Sequence, residues 1–210
     1  MNRDGPLPGS GVDPEARARA LQSLLVERDL LSTDLVDSVV SIYEEDIGPM
    51  NGARVVARAW TDDEYRERLL ADSTAVLEDH GYTGLDGVEI IVVPNTEEVH
   101  NVMVCTLCSC FPWPVLGLPP TWYKQPGYRS QMVKRPRRTL REDFGLAIDE
   151  AVEIRVRDTS AEVRYMVLPR RPAGTHGWTE SELADLVTRE MMIGVARPGD
   201  RHVDEIREGA

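Results

Sequence analysis

All three cysteines of this 210-residue chain lie in the stretch Val104-Cys105-Thr106-Leu107-Cys108-Ser109-Cys110. A cysteine can serve as a metal ligand, a redox centre or, when buried, a small apolar side chain. Three within six residues, and none elsewhere, do not read as apolar filler. A structural zinc site wants four ligands in a tetrahedron. The loop offers three sulfurs and a single residue between Cys108 and Cys110; there is no second CxxC, and His100 is the nearest of the four histidines. A redox CxxC usually sits at a strand-to-helix junction, where the helix N-terminus lowers a thiol pKa. Here Phe111-Pro-Trp-Pro114 follows, and its prolines argue against a regular helix. A third reading fits the spacing better. Three thiolates and the deprotonated amide nitrogens of Ser109 and Cys110 would make five ligands from one loop. Only a strongly polarising ion such as iron(III) or cobalt(III) takes an amide proton. An octahedral ion held this way keeps one position open, as catalytic metals do.

The elements that must position this loop can be read from apolar spacing. Residues 1–13 are Gly/Pro-rich and polar, and are expected to be disordered. From Pro14 the chain turns helical, with Ala20, Leu21, Leu24 and Leu25 as a stripe. Ser32 or Thr33 can cap a second helix carrying Leu35, Val36, Val39, Val40, Tyr43 and Ile47, which Gly48-Pro49-Met50-Asn51-Gly52 breaks. Thr61 and Glu64 form a capping-box pattern, opening a helix with Tyr65, Leu69, Leu70, Val76 and Leu77 on one face and an end near Gly81. Glu89–Val93 and Val99–Val104 read as strands, the second running into the cysteines. Residues 124–143 are basic and show no clear period. Val152–Val156 and Val163–Val167 alternate like half-buried strands, and Thr179 with Glu182 is a second capping box. Residues 198–210 form a polar tail. The pattern predicts a helical arm at 14–60 and an α+β domain at 61–197.

Composition narrows the partners. Asp+Glu 36 against Lys+Arg 24 gives a net charge of −12, which would repel nucleic acid and anionic membrane. The basic stretch 129–141 lacks interleaved aromatics, so it reads as a solvated or ionic interface rather than a nucleic-acid patch. No apolar run reaches the ~18 residues that span a bilayer. The N-terminus has no apolar signal core, so a cytoplasmic protein is expected.

The claw-like loop followed by Pro112-Trp-Pro-Val-Leu-Gly-Leu-Pro-Pro120 and Trp122-Tyr-Lys124 resembles the metal-binding segment of the nitrile hydratase α subunit. So do Asn51–Ala57 with Ala59–Asp62, Val99–Val102, Tyr128–Ser130, Arg164–Pro169, Arg171–Thr175 and Ile193–Val195, so the likeness covers roughly residues 15–197. It implies a layered α/β/β/α-type core behind the helical arm, with Cys105, Cys108, Cys110 and the amides of Ser109 and Cys110 holding a non-corrin metal. It implies Cys108 as sulfinic acid and Cys110 as sulfenic acid, with Cys105 left a thiolate. Cys108, Ser109 and Cys110 would then be the catalytic residues, and Trp113 a wall of the substrate pocket. Thr106 after the first cysteine implies cobalt(III), with iron(III) the alternative. The resemblance further implies a β subunit, in an αβ or α2β2 assembly, whose arginines bond the cysteine oxygens, and an activator protein that loads the metal. The reaction would hydrate a nitrile to an amide. Thiocyanate hydrolase carries a similar claw and is the alternative. The sequence departs from the family at three places: Asp86 where many relatives have glutamine, Gln125-Pro-Gly-Tyr128, and Lys134-Arg-Pro-Arg137 in place of Arg-Asp-Pro-Arg.

Overall fold

The computed structural model describes residues 14–41, 47–82 and 88–197. The expected disordered N-terminus, the polar tail, Tyr43 and Asp86 lie outside the described residues. Two compact units are present, one up to Glu45 and one from Asp46. The first holds helices α1 (Pro14–Glu27) and α2 (Thr33–Ser41). The Ser32 hydroxyl accepts from Leu35 N, so Ser32 caps α2. Along these helices Leu21, Leu24, Leu25, Leu35, Val39 and Val40 all stand exposed.

The second unit opens with α3 (Pro49–Thr61), a helix the sequence reading placed in the arm. Gly48 and Pro49 start this helix: Gly48 is its extended N-cap, and Pro49 occupies a first-turn position that needs no N–H. Its Ala53, Val55, Val56, Ala57 and Ala59 are buried in the core. The expected Thr61 box does not form. Asp62 caps the next helix, α4 (Asp63–Ala71), accepting from Tyr65 N at 2.9 Å, while the Thr61 hydroxyl turns back to the carbonyls of Ala57 and Arg58. The single helix expected to run to Gly81 is two, because Asp72 leaves helical geometry and caps α5 (Ser73–Asp79).

Strands β1 (Glu89–Pro94), β2 (Val99–Val104), β3 (Glu153–Asp158) and β4 (Val163–Leu168) follow. Neighbours in sequence do not pair. β1 pairs in parallel with β4, Glu89 opposite Val163, and β2 in parallel with β3, Val99 opposite Glu153. The layers run α4 and α5, the β1–β4 ladder, the β2–β3 ladder, then α7 (Pro126–Lys134) and α8 (Pro136–Phe144). This is the α/β/β/α arrangement expected. Pro126 and Pro136 again sit in first turns, so prolines here begin helices rather than end them. Between β2 and α7 lie a one-turn helix α6 (Trp113–Leu116) and a 3-10 turn at Thr121–Lys124. After β4 come α9 (Glu180–Leu186), with the Thr179–Glu182 capping box in place, and α10 (Arg189–Ile193). No helix among the described residues is long and apolar enough to cross a membrane.

Candidate metal centre

β2 is buried from His100 to Val104 and delivers Cys105, fully buried, at its end. The chain then turns out into solvent, leaving Cys108 exposed and Cys110 half-buried. The three sulfurs lie within 4.8 Å of one another, with Sγ–Sγ distances of 3.4 Å for Cys105–Cys108 and 3.0 Å for Cys108–Cys110. Cys108 N donates to Cys105 Sγ at 3.2 Å, and the nearby backbone N–H groups of Cys110 and Ser109 favour the Cys108 thiolate. The three sulfurs therefore form one cluster.

The electrostatics of the group follow from that crowding. Hydrogen bonds from Cys110 and then Cys105 hold the Cys108 thiol down at about 7. Burial, and the Cys108 sulfur beside it, push Cys110 up to about 12. One proton leaves readily and the next does not, because two thiolates at this distance repel. A polarising cation between the sulfurs removes that conflict, so the donor set fits a bound metal ion.

Four residues outside the loop hold its backbone, and two more hold the segment just after it. Asp158, at the end of β3, accepts from Thr106 N at 2.9 Å and from the Thr106 hydroxyl at 2.6 Å. Arg129 on α7 donates to the carbonyls of Thr106 and Leu107 at 2.9 and 3.1 Å. Thr159 and Tyr123 donate to the Cys110 carbonyl at 2.8 and 3.3 Å, and buried Arg164 donates to Phe111 O at 3.1 Å. Asn51 on α3 fixes the following turn through Pro114 O at 3.0 Å. Asp158 and Thr159 did not stand out in the sequence, and Tyr123, which stood in the Trp122-Tyr-Lys124 stretch of the family likeness and read as part of an aromatic rim for a partner, is instead fully buried within the chain. Tyr123 lies 13 positions and Thr159 49 positions from Cys110, beyond any local pattern. Trp113, the expected pocket wall, is half-buried at the start of α6.

Thr106 spends its hydroxyl on Asp158. A serine could make the same bond, so this contact does not distinguish cobalt from iron. Beside the loop is a cleft of about 360 Å³ lined by Thr106, Pro126, Arg129, Ser130, Val133 and Lys134. A larger one, about 410 Å³, lies at the far ends of β1 and β4 against Trp60, Asn95 and Arg170, and contains no cysteine. The smaller cleft is lined by no cysteine either, but it adjoins the cysteine loop through Thr106.

Fold and site together define an α+β protein built around a cysteine claw for a metal ion. The family model for the nitrile hydratase α chain matches residues 12–196. The cobalt-containing nitrile hydratase α subunit of Pseudonocardia thermophila is 56% identical over 180 residues, 86% of this chain and 88% of that one. The γ subunit of thiocyanate hydrolase from Thiobacillus thioparus is 40% identical over 197 residues, covering 89% and 80%. Among solved structures, a double mutant of the Fe-type nitrile hydratase from Comamonas testosteroni Ni1 superposes with a TM-score of 0.84 at 39% identity, covering 91% of this chain and 94% of that one. This chain belongs to the nitrile hydratase α-chain family.

Proposed function

We propose that this chain is the metal-carrying α subunit of a nitrile hydratase, catalysing R–C≡N + H2O → R–CONH2 together with a β subunit. The observation that supports it most is the convergence of three sulfurs within 4.8 Å, in the loop whose backbone also carries the amides of Ser109 and Cys110. Cys105, Cys108, Cys110 and the nitrogens of Ser109 and Cys110 would hold low-spin, non-corrin cobalt(III), as the 56% identity to a cobalt-containing subunit favours over iron. A trivalent ion held by these residues would supply Lewis acidity.

The chain's residues supply the rest. Cys105 anchors the claw in the core, while exposed Cys108 and half-buried Cys110 are accessible to oxidation, to sulfinic and sulfenic acid respectively. Oxygens on these two sulfurs would accept hydrogen bonds from partner arginines and orient water toward the nitrile carbon. Asp158, Arg129 and Thr159 keep the loop from collapsing as its charge changes. Trp113 gives the nitrile an apolar wall. Leu107 at the loop tip is 87% exposed, which suits it to burial against the β subunit; the exposed apolar faces of α1 and α2 offer the same partner further surface. The assembly would be αβ or α2β2, loaded in the cytoplasm by an activator protein. The 40% identity to a thiocyanate hydrolase subunit keeps thiocyanate as the alternative substrate.

The test is co-expression with the neighbouring subunit genes, then metal analysis, intact mass and activity. The expected result is cobalt near one per claw, a mass gain of about three oxygen atoms on Cys108 and Cys110, and amide formation from nitriles. Stoichiometric zinc with unoxidised cysteines would refute the proposal. Turnover of thiocyanate with no nitrile hydration would select the alternative.

A further inference from the structure

One residue touches both ends of the cysteine loop. Thr159, immediately after β3, is buried, and its backbone N–H donates to Val104 O at 2.7 Å. Its hydroxyl donates to Cys110 O at 2.8 Å. Val104 precedes the first cysteine and Cys110 is the last, so a single side chain and its own amide staple the base of the loop. Tyr123, fully buried, adds a second donor to the Cys110 carbonyl at 3.3 Å and lies 3.4 Å from the Thr159 hydroxyl.

The two halves of the loop are thus held by different groups. Asp158 and Arg129 act on Thr106 and Leu107. Beyond them, Thr159 and Tyr123 act on Cys110, the residue that offers the site two atoms at once, its nitrogen and its sulfur. Holding the Cys110 carbonyl fixes the peptide plane leaving its Cα and so restricts the backbone torsion ψ that carries the Cα–N and Cα–Cβ bonds; χ1 then places the sulfur.

We propose that Thr159 is a positioning residue for the hydration reaction, its hydroxyl setting the orientation of Cys110 nitrogen and sulfur, with Tyr123 as the second donor. This rests on the function proposed above. The hydrogen bonds of Thr159 go to Val104 O, Cys110 O and the Tyr123 hydroxyl, so its removal acts on kcat through geometry and leaves KM nearly unchanged. Misplacing a reacting atom by about an ångström costs up to about a hundredfold in rate.

The experiment uses the cobalt-loaded assembly and compares Thr159→Val with Thr159→Ser. Valine keeps the shape, the β-branch and the backbone N–H and removes only the hydroxyl; serine keeps the hydroxyl. Thr159→Val is expected to lower kcat about ten- to a hundredfold at similar KM, and to shift the sulfur-to-cobalt charge-transfer absorption at unchanged cobalt content. Thr159→Ser should restore both. An absorption spectrum and kcat in Thr159→Val equal to wild type would overturn the proposal, as would equal losses in both variants, which would assign the effect to packing of the methyl group. If Thr159→Val does not fold, Tyr123→Phe reads the same carbonyl: a smaller shift in the same direction is expected, and none would overturn the proposal. A wild-type assembly without a cobalt chromophore would instead refute the functional reading, and the proposal with it.

Discussion

Gly194→Ala tests how tightly the strand that carries the claw is set. Gly194 ends α10 at φ +91°, ψ 18°, the left-handed region. Its carbonyl accepts from His100 Nε2 at 2.8 Å on β2. A non-glycine residue in that conformation costs about 1–2 kcal/mol. A methyl there would also run into Asn101 O and stand 2.8 Å from Val102 Cα, both backbone atoms of β2. Neither can swing aside as a side-chain end would, and Val102 and Met192 nearby are fully buried. Overpacking of this kind costs about 1–3 kcal/mol. The sum, about 2–5 kcal/mol, is a large part of the roughly 5–15 kcal/mol that holds a domain folded. At about 2–4 °C per kcal/mol for a chain of this size, melting should fall by about 4–20 °C. Thermal unfolding followed by circular dichroism on wild type and variant measures it directly. A shift below about 2 °C would show that β2 and α10 slide apart easily, and the account of a rigid strand behind Cys105 would be wrong.

Two further outcomes follow from single positions. Arg135 is the N-cap of α8 and offers its helix no side-chain acceptor. Arg135→Asp should stabilise the chain by about 1 kcal/mol in urea unfolding, and no gain would show that the first-turn amides of α8 are already satisfied. His100 is buried, donates from Nε2 to Gly194 O, and meets Asn95 Nδ2 at Nδ1, an arrangement that requires the neutral ring. Burial, more than the charge of Arg197, lowers its pKa below the usual 6.5. A folded pKa below the unfolded one gives stability that is complete above about pH 6.5 and is lost as pH falls through the folded value. His100→Gln should flatten that part of the stability–pH curve, and an unchanged slope would place the titration elsewhere.

Strand positions were legible because short apolar runs bounded by turn residues have few other readings, and β2 came out as Val99–Val104, as expected. Strand pairing was not, since parallel partners are set by packing between distant segments and leave no local trace. Asp62 and Asp72 show the limit at helix ends. Each could equally have been a helical residue, and the choice of Asp62 over Thr61 as cap depends on where Tyr65 must be buried. The basic stretch resisted assignment because its charges sit on exposed faces, while a few residues such as Tyr128, Met132 and Leu140 carry the packing. Arg137 looked like one more surface charge, yet it binds the carbonyls of Ile148, Asp149 and Val152. The cysteine loop announced itself by composition. Its supports did not, because a lone Asp158 or Thr159 acquires meaning only when β3 lies beside β2.

That pairing also sets an order in time. The cysteines follow a strand whose residues pair with others 54 positions later, Val99 with Glu153. A ribosome that has released Cys110 has not yet made Asp158 or Thr159, so the growing chain exposes three thiols with nothing to shape them. Strand partners this far apart also meet slowly. The interval between the appearance of the thiols and their enclosure is therefore built into the connectivity, and it is the period in which stray zinc or an oxidant could capture them.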